Sequence, residues 1–81
     1  MKATVIVRPK PGILDPQGEA VQGSLKQLGF AVEQARVGRV VDIELENADP
    51  TKARADLERM CEQLLANPLI ESYDIELSES P

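Results

Sequence analysis

Cys61 is the most nucleophilic side chain in this 81-residue sequence, and the chain offers nothing suited to activating it. There is one cysteine and no histidine at all. A thiol becomes reactive when a neighbouring base or cation draws off its proton. Cys61 instead falls in an apolar helical stripe, where a cysteine acts as a small hydrophobe. The missing histidine also removes the usual general base and the usual zinc ligand. The 14 acidic residues are spread over strand and helix exteriors without the clustered oxygen spacing a hard cation needs. They read as solubilising surface charge. The glycines build neither of the phosphate-cradling loops, G-x-x-x-x-G-K-[ST] or G-x-G-x-x-G. No catalytic, metal-binding or cofactor-binding residue is therefore expected.

Composition narrows the remaining classes. The formal charge is −5, and Phe30 and Tyr73 are the only aromatic residues. A nucleic-acid binder wants a basic surface, and a single-strand binder adds stacking platforms. The apolar runs are far shorter than the ~20 residues needed to span a bilayer, and Met1–Lys2 leads into no signal-peptide h-region. No nucleic acid and no membrane are expected as partners, and a cytoplasmic location is. A lone cysteine rules out an internal disulfide framework. Residues 1–81 fit one domain, with 78–81 as a frayed tail.

Charge is then the chemistry left to place, and its placement depends on the elements. Residues 3–8 are rich in β-branched side chains and end at Pro9 and Pro11, which predicts a strand with Ala3, Val5 and Val7 on one face. Asp15-Pro16 supplies an N-cap and a first helical residue, and Ala20, Val21, Ser24, Leu25 and Leu28 recur at helical spacing as far as a C′ glycine, Gly29. A hairpin is expected next, with arms at about Phe30–Val37 and Val40–Glu46 and a tight turn at Gly38-Arg39. Asp49-Pro50 repeats the helix-start signal. Ala53, Leu57, Met60, Cys61, Leu64 and Leu65 form the inner stripe of that second helix until Pro68. Leu69–Leu77 reads as the last strand. The order β-α-β-β-α-β predicts an α+β, two-layer ferredoxin-like sandwich, with a four-stranded antiparallel sheet covered on one face by two helices.

In that topology, the end of the first strand, the hairpin turn and the start of the first helix share one end of the sandwich. Arg8, Lys10, Arg36 and Arg39 collect there, and Glu44, Glu46, Glu76 and Glu79 collect at the other end. An acidic protein with one basic end can orient a partner or hold an anion. Ile6, Val40 and Ile70 point away from the helices on the uncovered sheet face, which makes them candidates for self-association.

Leu14-Asp15-Pro16-Gln17-Gly18, Arg36-Val37-Gly38-Arg39 and Met60-Cys61-Glu62, the last followed by Leu64-Leu65-Ala66-Asn67-Pro68, come in an order that resembles the PurS family. These are small subunits of phosphoribosylformylglycinamidine synthase, and the likeness runs from about Ala3 to Leu77. The resemblance implies a non-catalytic subunit in purine biosynthesis. Its partners would be a glutaminase subunit that releases ammonia and an ATP-dependent synthetase subunit, with ATP, magnesium and glutamine used by those partners. It also implies a homodimer or dimer of dimers. Carried onto this sequence, it marks Asp15, Gln17, Gly18, Arg36, Gly38 and Arg39, beside Arg8 and Lys10, as partner contacts. Met60, Cys61, Leu64 and Leu65 are expected in the core. The alternative reading is a ligand-sensing module of the ACT type, which shares the element order and would bind an amino acid at the Pro9–Asp15 loop.

Overall fold

The structure, a computed structural model, describes residues 1–46 and 49–78. Its elements are β1 (Lys2–Pro9), α1 (Pro16–Gln27), β2 (Arg39–Glu44), α2 (Pro50–Met60) and β3 (Glu71–Ser78). A π-helical turn, Cys61–Leu65, continues α2. The three strands form one antiparallel sheet in the order β2-β1-β3. Val5 stands opposite Val41 on one side and Ile75 on the other. With a side-chain period of two, that register puts Ala3, Val5 and Val7 on one face with Val41, Ile43, Tyr73, Ile75 and Leu77. Leu57, Cys61 and Ala66 close over this face.

The four-stranded sheet expected from the sequence is not formed by the described residues, because segment 30–38 makes no strand. Its backbone donors go elsewhere. The Ala35 N–H donates to Gln22 Oε1 at 3.2 Å, and the Val37 N–H donates to Asp15 Oδ2 at 2.9 Å. Side chains of α1 and its cap thus take bonds that a neighbouring strand would otherwise take.

The two helices also part company. Helix α2 buries Ala53 and Leu57 against the sheet, whereas α1 buries Gly18 alone. Residues 10–38 form an arm running out from the sheet and back. The molecule measures 48 × 28 × 14 Å with a radius of gyration of 15.9 Å, against about 12 Å for a compact chain of this length. It exposes 5,892 Å², about 1,100 Å² more than the ~4,800 Å² of a compact monomer this size.

Two further expectations are corrected. Leu64 is not core but 83% exposed. The Ala66 N–H bonds the Cys61 carbonyl at 3.0 Å, five residues back, and the extra residue in that turn rotates Leu64 outward and Ala66 inward. The last strand begins at Glu71 instead of Leu69, leaving Leu69 84% exposed. Ser78 is paired opposite Lys2 within the sheet and is not part of a frayed tail. Glu79–Pro81 lie outside the described residues.

Candidate partner-binding surface

The arm is fastened at its base by one carboxylate. Asp15 Oδ1 accepts the Gly18 N–H at 3.0 Å, capping α1, while its other oxygen holds Val37 on the returning chain. Those bonds, Val37's first and Gly18's second, with Arg36 nearby, keep the Asp15 carboxyl below its ordinary range. Gly18 is buried at this junction, and a Cβ there would come within 2.3 Å of Asp15 Oδ2 and 2.6 Å of the Ala35 carbonyl oxygen. Two residues carried over as partner contacts therefore build the arm. Gln17 alone of that trio stays exposed, on the wall of a groove shared with Ile13, Leu14 and Ile70.

Gly38 performs a comparable task. A Cβ at Gly38 would lie 2.1 Å from the Val7 carbonyl oxygen, so only glycine lets the chain enter β2 this close to β1. The entry brings Arg36 and Arg39 to the end of β1, where Arg8 stands. These three arginines, with Ile6, Val40, Pro9 and Gly38, line an open notch of about 540 Å³. The basic end expected from the sequence thus forms around a cavity, but Lys10 is left off its lining. Lys10 Nζ instead bonds the Pro68 carbonyl oxygen at 2.7 Å.

The arginines are engaged unequally. Arg39 makes a fork to Glu71, 2.8 and 3.0 Å, and also reaches the Leu65 carbonyl at the end of the π-helical turn. Glu71 accepts the Asn67 N–H too, and Arg39 followed by that bond holds its carboxyl low, while Glu71 in turn raises Arg39. Arg36 binds only the carbonyls of Pro9 and Lys10. Arg8 meets Asp74 at 3.2 Å on the surface. The role of Glu71 was missed from sequence, although its position four residues after Asn67 is the spacing of its Asn67 bond.

Of the three candidates for self-association, Ile6 and Val40 come together as a cross-strand pair. Ile70 is separated from them. It precedes β3, its carbonyl accepting the Lys10 N–H at 2.9 Å. The rest of that sheet face is polar, with Thr4 donating to Asp42 and Lys2 4.0 Å from Glu44. A larger apolar surface lies on the arm, where Leu14, Val21, Leu28 and Phe30 are exposed, Leu28 at 72%.

Cys61 is buried at the centre of the core, and desolvation, then Glu62 and Glu58, push its thiol upward. That direction is the reverse of an activated nucleophile's. Among the described residues no group of three His, Cys, Asp or Glu side chains is placed to hold a metal ion, and no helix is long and apolar enough to cross a membrane.

Residues 2–79 match the family model PurS, phosphoribosylformylglycinamidine (FGAM) synthase. The chain belongs to the PurS family. It is 44% identical over 75 residues to the Synechocystis FGAM synthase subunit PurS, covering 91% of this chain and 75% of that one. The crystal structure of Methanocaldococcus jannaschii PurS, one of the subunits of formylglycinamide ribonucleotide amidotransferase, superposes with a TM-score of 0.85 at 38% identity. That match covers 99% of this chain and 98% of the other. A chain of the PurLQS structure from Thermotoga maritima matches with a TM-score of 0.84 at 30% identity, over 93% of each chain. The chain is thus an FGAM synthase subunit, and the ACT-type alternative is left without support.

Proposed function

We propose that this chain is the non-catalytic assembly subunit of FGAM synthase, bridging a glutaminase and an ATP-dependent synthetase subunit so that ammonia passes between them. The three-part name of the Thermotoga PurLQS neighbour supports taking those two subunits as the partners. ATP, magnesium and glutamine belong to the larger subunits in this reading. A bridging subunit needs no reactive groups of its own. It contributes by proximity, raising the effective concentration of ammonia at its acceptor.

The observation that carries the reading is the uncovered arm. An α1 stripe that buries Gly18 alone and leaves Val21 exposed, in a chain exposing about 1,100 Å² more than a compact monomer, has room for the ~800 Å² each partner of a standard interface buries. We take a second copy of the chain as the first cover for that stripe. This gives a homodimer or dimer of dimers, with the Ile6–Val40 face left for other contacts. Glutamine-dependent FGAM synthesis by the two larger subunits, with and without this chain, tests the bridging role. A strong dependence is expected, and full activity in its absence would overturn it.

A further inference from the structure

We infer that the arginine-rimmed notch is a socket for an acidic segment of one of the larger subunits, a carboxylate side chain next to an aliphatic or aromatic one; this rests on the assembly reading above. The floor of the notch is the cross-strand pair Ile6 and Val40, Val40 being 61% exposed. The rim is Arg8, Arg36 and Arg39. An apolar floor with arginine anchors has the composition of an interface hot spot. Charge sets the sign of the occupant. The lining carries three guanidinium groups and no carboxylate, the acidic groups that interact with them, Asp74, Glu71 and Asp15, lying off it, so the lining is positive on a chain of net charge −5. An acidic partner is repelled by most of this molecule and attracted here, which fixes its orientation.

The bonding pattern separates the three arginines. Arg39 is spent on Glu71 and Leu65, but Arg36 holds only neutral carbonyls, and among the described residues no carboxylate lies within salt-bridge range of it. Its charge acts on Asp15 without a direct bond, and that carboxylate is already taken up by two backbone N–H groups. Arg8 is answered by Asp74, yet the two side chains are 62% and 70% exposed, so the pair is held weakly and exchanges readily for a better partner. Asp74 thus stands in for the partner's carboxylate, and docking displaces it from Arg8. The notch is open to solvent and encloses nothing, unlike a small-ligand pocket, which buries most of its ligand. A protein surface can cover it; a free metabolite would remain mostly wet.

The test measures binding of the intact chain to its cognate synthetase and glutaminase subunits, at low and high salt, for wild type, Arg8→Glu and Asp74→Asn. Arg8→Glu is expected to weaken binding about tenfold at low salt, the loss shrinking at high salt. Asp74→Asn is expected to tighten binding about two- to fivefold, because it frees Arg8. A merely structural ion pair would move both variants the same way. Wild type that binds neither subunit would overturn the assembly reading and the socket together. Binding that both substitutions leave within about twofold would overturn the socket alone. So would variants that change only the chain's own sedimentation, since the occupant would then be a second copy. A stabilising thermal shift with inorganic phosphate, abolished by Arg8→Glu, would reassign the notch to a small anion.

Discussion

Helices α1 and α2 begin alike and end in opposite circumstances. Asp15-Pro16 and Asp49-Pro50 each place a carboxylate at the N-cap and a proline at the first helical position, and each aspartate accepts a backbone N–H at 3.0 Å. Helix α2 then lays Ala53 and Leu57 on the sheet, with Cys61 following, while α1 and its C-cap keep Val21 and Leu28 in solvent. The difference lies in what each stripe carries. The α2 stripe presents Leu57 and Met60 to the core, whereas the α1 face is interrupted by Gly18, Gly23 and Ser24. A sheet of three strands offers one face wide enough for one helix. The second helix stays available to another chain, and a small subunit that must hold others together gains contact area by leaving its own core half built.

Substitutions at matched positions sharpen that contrast, beginning with the largest effect. Leu57→Ala, in the closed half, is expected to cost about 3 kcal/mol in denaturant unfolding, for lost burial and the cavity left behind. Leu28→Ala, in the arm, should cost under about 0.5 kcal/mol in dilute solution. Equal losses would mean that α1 packs on its own sheet after all.

The glycines give the second pair. Gly38→Ala should destabilise by about 2 kcal/mol, since the added methyl group meets the Val7 carbonyl. Gly23→Ala should stabilise by about 0.5–1 kcal/mol, as nothing lies within 4 Å of the new Cβ and alanine favours helix. If Gly23→Ala also blocks self-association, a second backbone approaches the arm there.

Removing arm surface comes third. The double change Leu28→Ser with Phe30→Ser should raise the self-dissociation constant at least about tenfold in sedimentation equilibrium, leaving the dilute monomer's unfolding almost unchanged.

Acid supplies the smallest and most local effect. Asp15 and Glu71 are both held below their ordinary values of 3.8 and 4.5. Each therefore contributes stability that is complete above those values and is lost as pH falls below them, through the lower folded-state values. Asp15→Ala should lower Tm at neutral pH and make less difference in acid, where wild type has lost the same contribution. Hydrogen exchange should show the loss first at the Val37 amide, which Asp15 alone holds to the arm's base. Exchange rising first in β1 would place the acid-sensitive step in the sheet instead.

Local signals in the sequence settled much of this. Asp15-Pro16 and Asp49-Pro50 start helices because side-chain oxygens and a fixed φ suit that position whatever lies around them. Gly29 ends α1 with φ +96°, the Phe30 N–H reaching the Leu25 carbonyl and the Gly29 N–H reaching that of Lys26, as a glycine C′ residue should. The alternation of β1 and of Val41, Ile43 and Leu45 set the inner face, since a pleated strand must put every second side chain there. The gathering of Arg8, Arg36 and Arg39 was read from the expected antiparallel topology, and the β1–β2 pair that did form is enough to bring them to one end. The single cysteine was read from its apolar helical stripe as a core residue, and the structure buries it.

What local signals left open was decided by competition between partners, which only the tertiary structure resolves. Segment 30–38 has strand-like residues, but Asp15 and Gln22 outbid a neighbouring strand for its N–H groups. The helical stripe through Leu64 looks continuous, but the π-helical turn at Cys61 shifts the phase by one residue, turning Leu64 out and Ala66 in. An amphipathic face in α1 states that something will cover it. It cannot state whether that cover is the chain's own sheet or another molecule, because burial is non-directional and rewards either alike.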